Sequence, residues 1–148
     1  MNVRRETLIC DTSFVSHLWR MEEAPDRYDQ WSGGDLARLA TASLAISVVT
    51  LAELRAGYVR AGWGRRRIAD AERKIASYFP LLIDNPHLDE WARLSVTTRA
   101  RGVALSDNDL WVAATASVKA QPLVTCDRDH QRIASELPVE VVFLAPPV

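Results

Sequence analysis

Acidic residues stand at the places where this chain passes from strand-type to helix-type sequence. Asp11 closes the run Thr7 to Cys10, and Glu53 lies about one turn into the helical pattern that follows Leu44 to Val49. Asp107 and Asp109 occupy the first turn of a later helical pattern, and Asp127 and Asp129 follow Leu123 to Thr125. Carboxylates gathered in one cleft repel each other by about 4 kcal/mol at ~4 Å and an effective dielectric near 20. A hard divalent cation removes that cost. Carboxylate oxygens with water suit magnesium or manganese, and no histidine–cysteine constellation argues for zinc. The same acids have a plainer use, because Asp and Glu in a first helical turn gain ~0.3–1 kcal/mol from the helix dipole. Thr50-x-x-Glu53 and Ser106-x-x-Asp109 also have capping-box spacing. Capping alone does not require Asp11 and Asp127 to share an edge with the others, so the set taken jointly favours a metal cleft.

Bringing such distant residues together is the task of the elements between them. After the strand Thr7 to Cys10, Asp11-Thr12-Ser13 can cap a helix carrying Phe14, Val15, Leu18 and Trp19 at helical spacing. Asp26 to Ala40, interrupted by Gly33-Gly34, reads as a broken or a second helix, followed by a strand at Leu44 to Val49 and a helix at Thr50 to Arg60. Arg65 to Tyr78 predicts a helix burying Ile68, Ala71, Ile75 and Phe79, with a strand at Leu81 to Ile83 after Pro80. Pro86 to Arg101 predicts an amphipathic helix with Leu88, Trp91, Leu94 and Val96 inward, closed by Gly102. A helix at Ser106 to Lys119, a strand at Pro122 to Thr125, a short helix at Asp127 to Ser135 and a strand at Val139 to Leu144 complete the pattern. Strands alternating with helices argue for βαβ units and a mainly parallel sheet covered on both faces. Right-handed crossovers then place every strand-to-helix junction, and with it every acid, along the carboxyl edge of the sheet.

The length of 148 residues leaves room for one core, so a single domain over residues 1–148 is expected. With 48% hydrophobic and 25% charged residues, the composition is that of an ordinary globular domain. A net charge of -1 excludes a global positive field, so any nucleic-acid contact must rest on local patches. The uncharged stretch Leu39 to Ala52 is 14 residues long, short of the ~20 that span a bilayer. Arg4 and Arg5 precede only Leu8, Ile9 and Cys10 before Asp11, which is too little for a signal peptide, so a cytoplasmic location is expected. Cys10 and Cys126 lack metal spacing and read as free, packed thiols. His17, His87 and His130 fall on no metal-binding spacing.

Four segments invite comparison: Leu8-Ile9-Cys10-Asp11-Thr12-Ser13; Thr50-Leu51-Ala52-Glu53-Leu54-Arg55-Ala56-Gly57; Asp109-Leu110-Trp111-Val112-Ala113-Ala114-Thr115-Ala116; and Leu123-Val124-Thr125-Cys126-Asp127-Arg128-Asp129. In this order, across nearly the whole chain, they resemble the PIN domain, and within it the VapC-like toxins of toxin–antitoxin pairs. The resemblance implies an α/β fold, a PIN-like three-layer sandwich whose mainly parallel four- or five-stranded sheet is flanked by helices. It matches Asp11, Glu53, Asp109 and Asp127 to the family's acidic quartet and Thr125 to its hydroxyl residue near the metal, with Thr12 in support beside Asp11. Asp107 and Asp129 are extra acids that either join the metal shell through water or cap helices. The family commonly carries an aromatic residue where His130 stands.

The implied activity is endonucleolytic hydrolysis of RNA with a magnesium or manganese ion held by Asp11 and Asp109, and by Glu53 and Asp127 directly or through water; one ion or two fit equally. A VapB-like antitoxin and a homodimer are the implied partners. Cationic contacts to RNA are expected at Arg65, Arg66 and Arg67, the densest part of a basic run that Asp70 and Glu72 partly offset. Trp31 and Trp63 could stack on bases, although packing is the commoner fate of such residues. Two other readings stand beside this one. The first is a PIN-like module that binds RNA or protein without catalysis. The second is an aspartyl-phosphate receiver or phosphatase built on Asp11, which lacks the second Asp of a DxD phosphatase.

Overall fold

A computed structural model describes residues 4–148. Five strands, β1 (Thr7–Cys10), β2 (Ser43–Ser47), β3 (Phe79–Leu81), β4 (Leu123–Thr125) and β5 (Val141–Phe143), form one sheet in the order β3-β2-β1-β4-β5. Every pairing is parallel. The chain works outward from β1 through β2 to β3, then returns to lay β4 on the other side of β1. The direction of winding therefore reverses between β1 and β4, the crevice where open α/β sheets bind ligands.

Among the described residues, seven helices flank the sheet: α1 (Thr12–Glu23), α2 (Gly33–Thr41), α3 (Val48–Arg60), α4 (Arg65–Ile75), α5 (Asn85–Ala100), α6 (Asp107–Lys119) and α7 (Arg128–Arg132). Strand side chains alternate between the two faces. Leu8, Cys10, Ile46 and Val124 pack with Phe14, Leu54, Tyr58 and Ile75 in one core, whereas Ile9, Ala45 and Leu123 pack with Leu94, Leu110, Val112 and Ile133 in the other. Apolar residues on both sides of one strand are what a parallel sheet between two helical layers demands. The expected three-layer sandwich is the observed fold.

Local readings are corrected in several places. Gly33-Gly34 opens α2 instead of breaking a helix, because the Ser32 hydroxyl accepts from the Asp35 amide and caps it there; Asp26 belongs to a separate 3-10 turn at Pro25–Tyr28. The third strand is Phe79–Leu81, not Leu81 to Ile83; it lies at the sheet edge, where the missing amide of Pro80 costs least. Phe79 is consequently 67% exposed, and Tyr78 takes the buried place assigned to it. On α5, Leu88 and Val96 are exposed, and the buried face is Leu94 with His87, Ser95 and Thr98, polar residues that apolar periodicity passes over. Gly102 does close α5, at φ 76°, a conformation that costs glycine nothing. The Asp127 to Ser135 helix divides into α7 and a 3-10 turn at Ala134–Glu136. No helix of the described residues is long and apolar enough to cross a membrane.

Candidate active site

Asp11 directly follows β1 and is the N-cap of α1. It is 3% exposed and both of its oxygens are engaged. Oδ1 accepts from the Ser13 hydroxyl at 2.7 Å and the Phe14 amide at 2.8 Å. Oδ2 accepts from the Thr125 hydroxyl and faces His130 Nδ1 at 2.9 Å. A carboxylate offers about four lone-pair directions, and the protein fills them all. Capping and clustering are thus not rival uses of this residue, since the cap orients the carboxylate across the gap toward β4.

Thr125, the last residue of β4, reaches Asp11 because β1 and β4 are neighbours in register, with Cys10 opposite Val124. Its hydroxyl also accepts from the Asp127 amide at 2.9 Å. Ser13, which the sequence reading used only as part of a cap, accepts from the Cys126 amide at 3.1 Å and so ties the two strand ends together. Asp127 caps α7, its Oδ1 accepting from the Asp129 amide at 2.9 Å. Asp109 lies in the first turn of α6, where Ser106 caps its amide at 3.1 Å, as the spacing predicted.

His130 joins these pieces. It is fully buried, one helical turn from Asp127, with Nε2 3.1 Å from the Asp109 carbonyl oxygen and 4.0 Å from Asp109 Oδ1. Burial opposes charging of the imidazole, but the hydrogen bond and charge of Asp11, with the Asp109 carbonyl behind them, outweigh it. The pKa is pushed up to about 9. Burial raises the Asp109 carboxyl above its ordinary value, against the pull of His130, with the nearby Asp127 and Asp11 charges adding to the rise. Sequence reasoning passed His130 over. The available signal was the spacing Asp127-x-x-His130, which puts both residues on one face of a helix.

Asp109, Asp127 and His130 each present a ligand atom, all within 4.8 Å of one another. This is a possible metal site. Oxygen donors with one imidazole suit a divalent ion, and neighbouring carboxylates on a low-dielectric floor need such a charge. Glu53 is not among these three; its Oε1 accepts from the hydroxyl of Thr12, the residue after Asp11, at 2.7 Å. The capping box at Thr50 does not form. Ser47 caps α3, and Thr50 is buried inside the helix with its hydroxyl unpartnered. Glu53 therefore has no capping duty. Asp129 faces Arg132 at 3.4 Å, and Asp107 is exposed, contributing its carbonyl to Trp91 at 3.4 Å.

The remaining residues singled out above are structural or peripheral. Trp31 is buried in the core between Phe14 and Tyr28 and donates to the Ala145 carbonyl. Trp63 has Tyr58 stacked at 5.1 Å and the Arg67 guanidinium 4.0 Å from its ring centre, so packing accounts for both. His17 meets the Tyr28 hydroxyl at 2.8 Å, and His87 completes a capping box with Asp84. Cys10 and Cys126 are free and buried, and burial pushes both thiols up, Cys126 to about 12. Arg65, Arg66 and Arg67 are all exposed on the first turn of α4.

The fold recurs in known proteins. The chain is 32% identical to Ribonuclease VapC4 of Mycobacterium tuberculosis over 150 residues, spanning 97% of this chain and 100% of that one. It is 35% identical to Ribonuclease VapC5 of the same organism over 102 residues, 67% of this chain and 75% of the relative. The crystal structure of VapBC-5, a toxin–antitoxin family member from Mycobacterium tuberculosis, superposes with a TM-score of 0.67 at 30% identity, over 93% of this chain and 98% of that one. DNA-bound VapBC from Salmonella typhimurium shares the fold with a TM-score of 0.71 at 20% identity, covering 93% and 96% of the two chains. The PIN domain profile matches residues 8–136, an interval that holds every acid described above, and the chain belongs to the PIN domain family.

Proposed function

We propose that the chain is a divalent-metal-dependent endoribonuclease, the toxin of a toxin–antitoxin pair, acting as a single domain. The observation that carries this reading is the convergence of Asp11, Asp109, Asp127 and His130 at the carboxyl edge between β1 and β4. Two relatives that align over two thirds or more of the chain are named ribonucleases, and a similar solved structure is a toxin–antitoxin complex.

Asp109 and Asp127 would hold the ion, with His130 or Asp11 as a further donor and Glu53 reaching it directly or through water. A bound magnesium or manganese ion supplies neutralisation of the charge that grows on a phosphodiester and acidifies nearby water. The chain's own part is to keep the donors in place before the ion arrives. Ser13 and Thr125 fix Asp11, Thr12 fixes Glu53, and the Ser106 cap sets the first turn of α6 that carries Asp109. Because Asp11 is already saturated by protein donors, its direct ligation requires Thr125 or His130 to yield. Support from Asp129 and Asp107 is restricted to water-mediated contact.

An antitoxin of VapB type, a homodimer and a cytoplasmic site of action complete the proposal. Its test is expression of the chain alone, which should arrest growth, together with cleavage of total RNA by the purified protein in magnesium or manganese. Cleavage that persists in a chelator refutes it. One observation favours a second reading, a PIN-like module that binds RNA or protein without catalysis: Asp11 and Asp127 each cap a helix, a structural use of the carboxylate that needs no chemistry. That module would show no thermal stabilisation by magnesium.

A further inference from the structure

Arg128 stands at the rim of the acidic cluster, on the β5 side of β4. It directly follows Asp127 and is the first residue of α7. Thr125 relates it to the cluster. The hydroxyl of that residue reaches Asp11 on one side of β4, and its register partner on the other side is Phe143, the last residue of β5. The guanidinium of Arg128 lies over the Phe143 ring, 5.8 Å from its centre. Neighbouring strands are about 4.8 Å apart, so the seat of this cation is one strand away from the residue that holds Asp11.

The acids beside Arg128 in sequence do not account for its position. Asp127 Oδ1 accepts from the Asp129 amide, and Asp129 faces Arg132. Arg93 and Arg101 are likewise taken up, by Glu90 and Glu136. Arg128 is exposed and forms no ion pair or side-chain hydrogen bond among the described residues. Stacking on an aromatic ring contributes only ~0.5–1 kcal/mol at an exposed site. It does fix the plane of the guanidinium, and it leaves the N–H groups along the edge of that plane free. A cleft of carboxylates repels phosphate, whereas a planar fork held at its rim can take two oxygens of one phosphate group.

We infer that Arg128 is a positioning residue of the proposed nuclease, holding a backbone phosphate of the RNA next to the one that is cleaved, with Phe143 as the platform that sets its plane. The inference rests on the proposed ribonuclease reading. It puts a phosphate contact on the β5 flank of the crevice, on a different element from the basic run Arg65 to Arg67 in the first turn of α4.

The test compares Arg128→Gln, Arg128→Lys and the control Arg99→Gln, which removes an exposed arginine from the last turn of α5. In metal-free buffer, the Kd of Arg128→Gln for a short single-stranded RNA should rise about three- to tenfold. The slope of log Kd against log salt should fall by about 0.7, the share of one phosphate contact. Arg128→Lys keeps the charge and loses the planar fork, so its slope should stay at the parent value. In magnesium, kcat should fall about tenfold in Arg128→Gln and less in Arg128→Lys, because a loosely held phosphodiester reaches the productive geometry less often. Melting temperatures should stay within about 4 °C of the parent, which sets folding aside as the cause. Unchanged Kd, slope and kcat overturn the inference, and so does an equal loss in Arg99→Gln, which would reduce the effect to net charge. Weakened binding with kcat unchanged also overturns it, since Arg128 would then be a remote contact. If the parent protein cleaves no RNA yet Arg128→Gln alone loses affinity and slope, the ribonuclease reading fails and the phosphate contact stands.

Discussion

His130 is wedged between Asp11 and Asp109, its Nδ1 2.9 Å from Asp11 Oδ2 and its Nε2 3.1 Å from the Asp109 carbonyl oxygen. It links β1 to α6 across the crevice. Its pKa of about 9 lies above the ordinary 6.5, so the metal-free fold gains from the imidazolium fully below about pH 6.5 and loses that gain as pH rises through 9. The melting temperature in a chelator should therefore fall between pH 6.5 and 9. His130→Phe, of similar size, should remove that fall. An identical pH dependence in the two proteins would contradict the arrangement.

Asp109→Asn separates fold from metal. The Ser106 cap bonds the backbone amide of residue 109, which the substitution keeps, while a burial-disfavoured charge is removed. In a chelator the variant should be as stable as the parent or about 1 kcal/mol more stable. Magnesium at 100 times its Kd should raise the parent's melting temperature by about 5–10 °C, from ~2.7 kcal/mol at roughly 2–4 °C per kcal/mol. The variant should lose that rise, and RNA cleavage should drop at least ~100-fold. Differential scanning calorimetry and a gel assay check both outcomes.

Asp11→Asn behaves differently, because this side chain also builds the fold. An amide cannot accept from Ser13, Phe14, Thr125 and His130 together. The expected cost is about 2–3 kcal/mol of stability, with cleavage lost as well. Urea titration gives the cost, and a loss within about 0.5 kcal/mol, the scale of a surface substitution, would count against the saturated carboxylate.

Thr50→Val tests where α3 begins. If Thr50 capped the helix, the change would cost ~1 kcal/mol. Its hydroxyl is instead buried without a partner in a helix capped by Ser47. Replacing it with a methyl should leave stability unchanged or raise it by about 1 kcal/mol in the same titration.

Ala120 adopts φ 52° just beyond α6, in the left-handed region. Ala120→Gly should stabilise the protein by about 0.5–1 kcal/mol, equivalent to ~1–4 °C in melting temperature.

The alternation of strand and helix patterns, the acids at their junctions and the four motifs were legible in the sequence, because period, capping residues and spacing are local properties. They were enough to derive a parallel sheet with its acids on one edge. Boundaries shifted where a local rule had two solutions. Ser47 and Thr50 can each cap a helix, and only the packing of α3 on the sheet decides that Thr50 is interior.

The contacts within the site were not legible, since they depend on which strand ends become neighbours. The order β3-β2-β1-β4-β5 puts Thr125 against Asp11, residues 114 positions apart. The first turn of α6 then lies over the same crevice and buries His130, whose sequence surroundings carry no mark of its two acidic contacts. The sequence determined which groups were available and at which edge they would stand. The tertiary structure decided which of them touch, because hydrogen bonds and charge interactions depend on separations of a few ångströms that no spacing along the chain specifies.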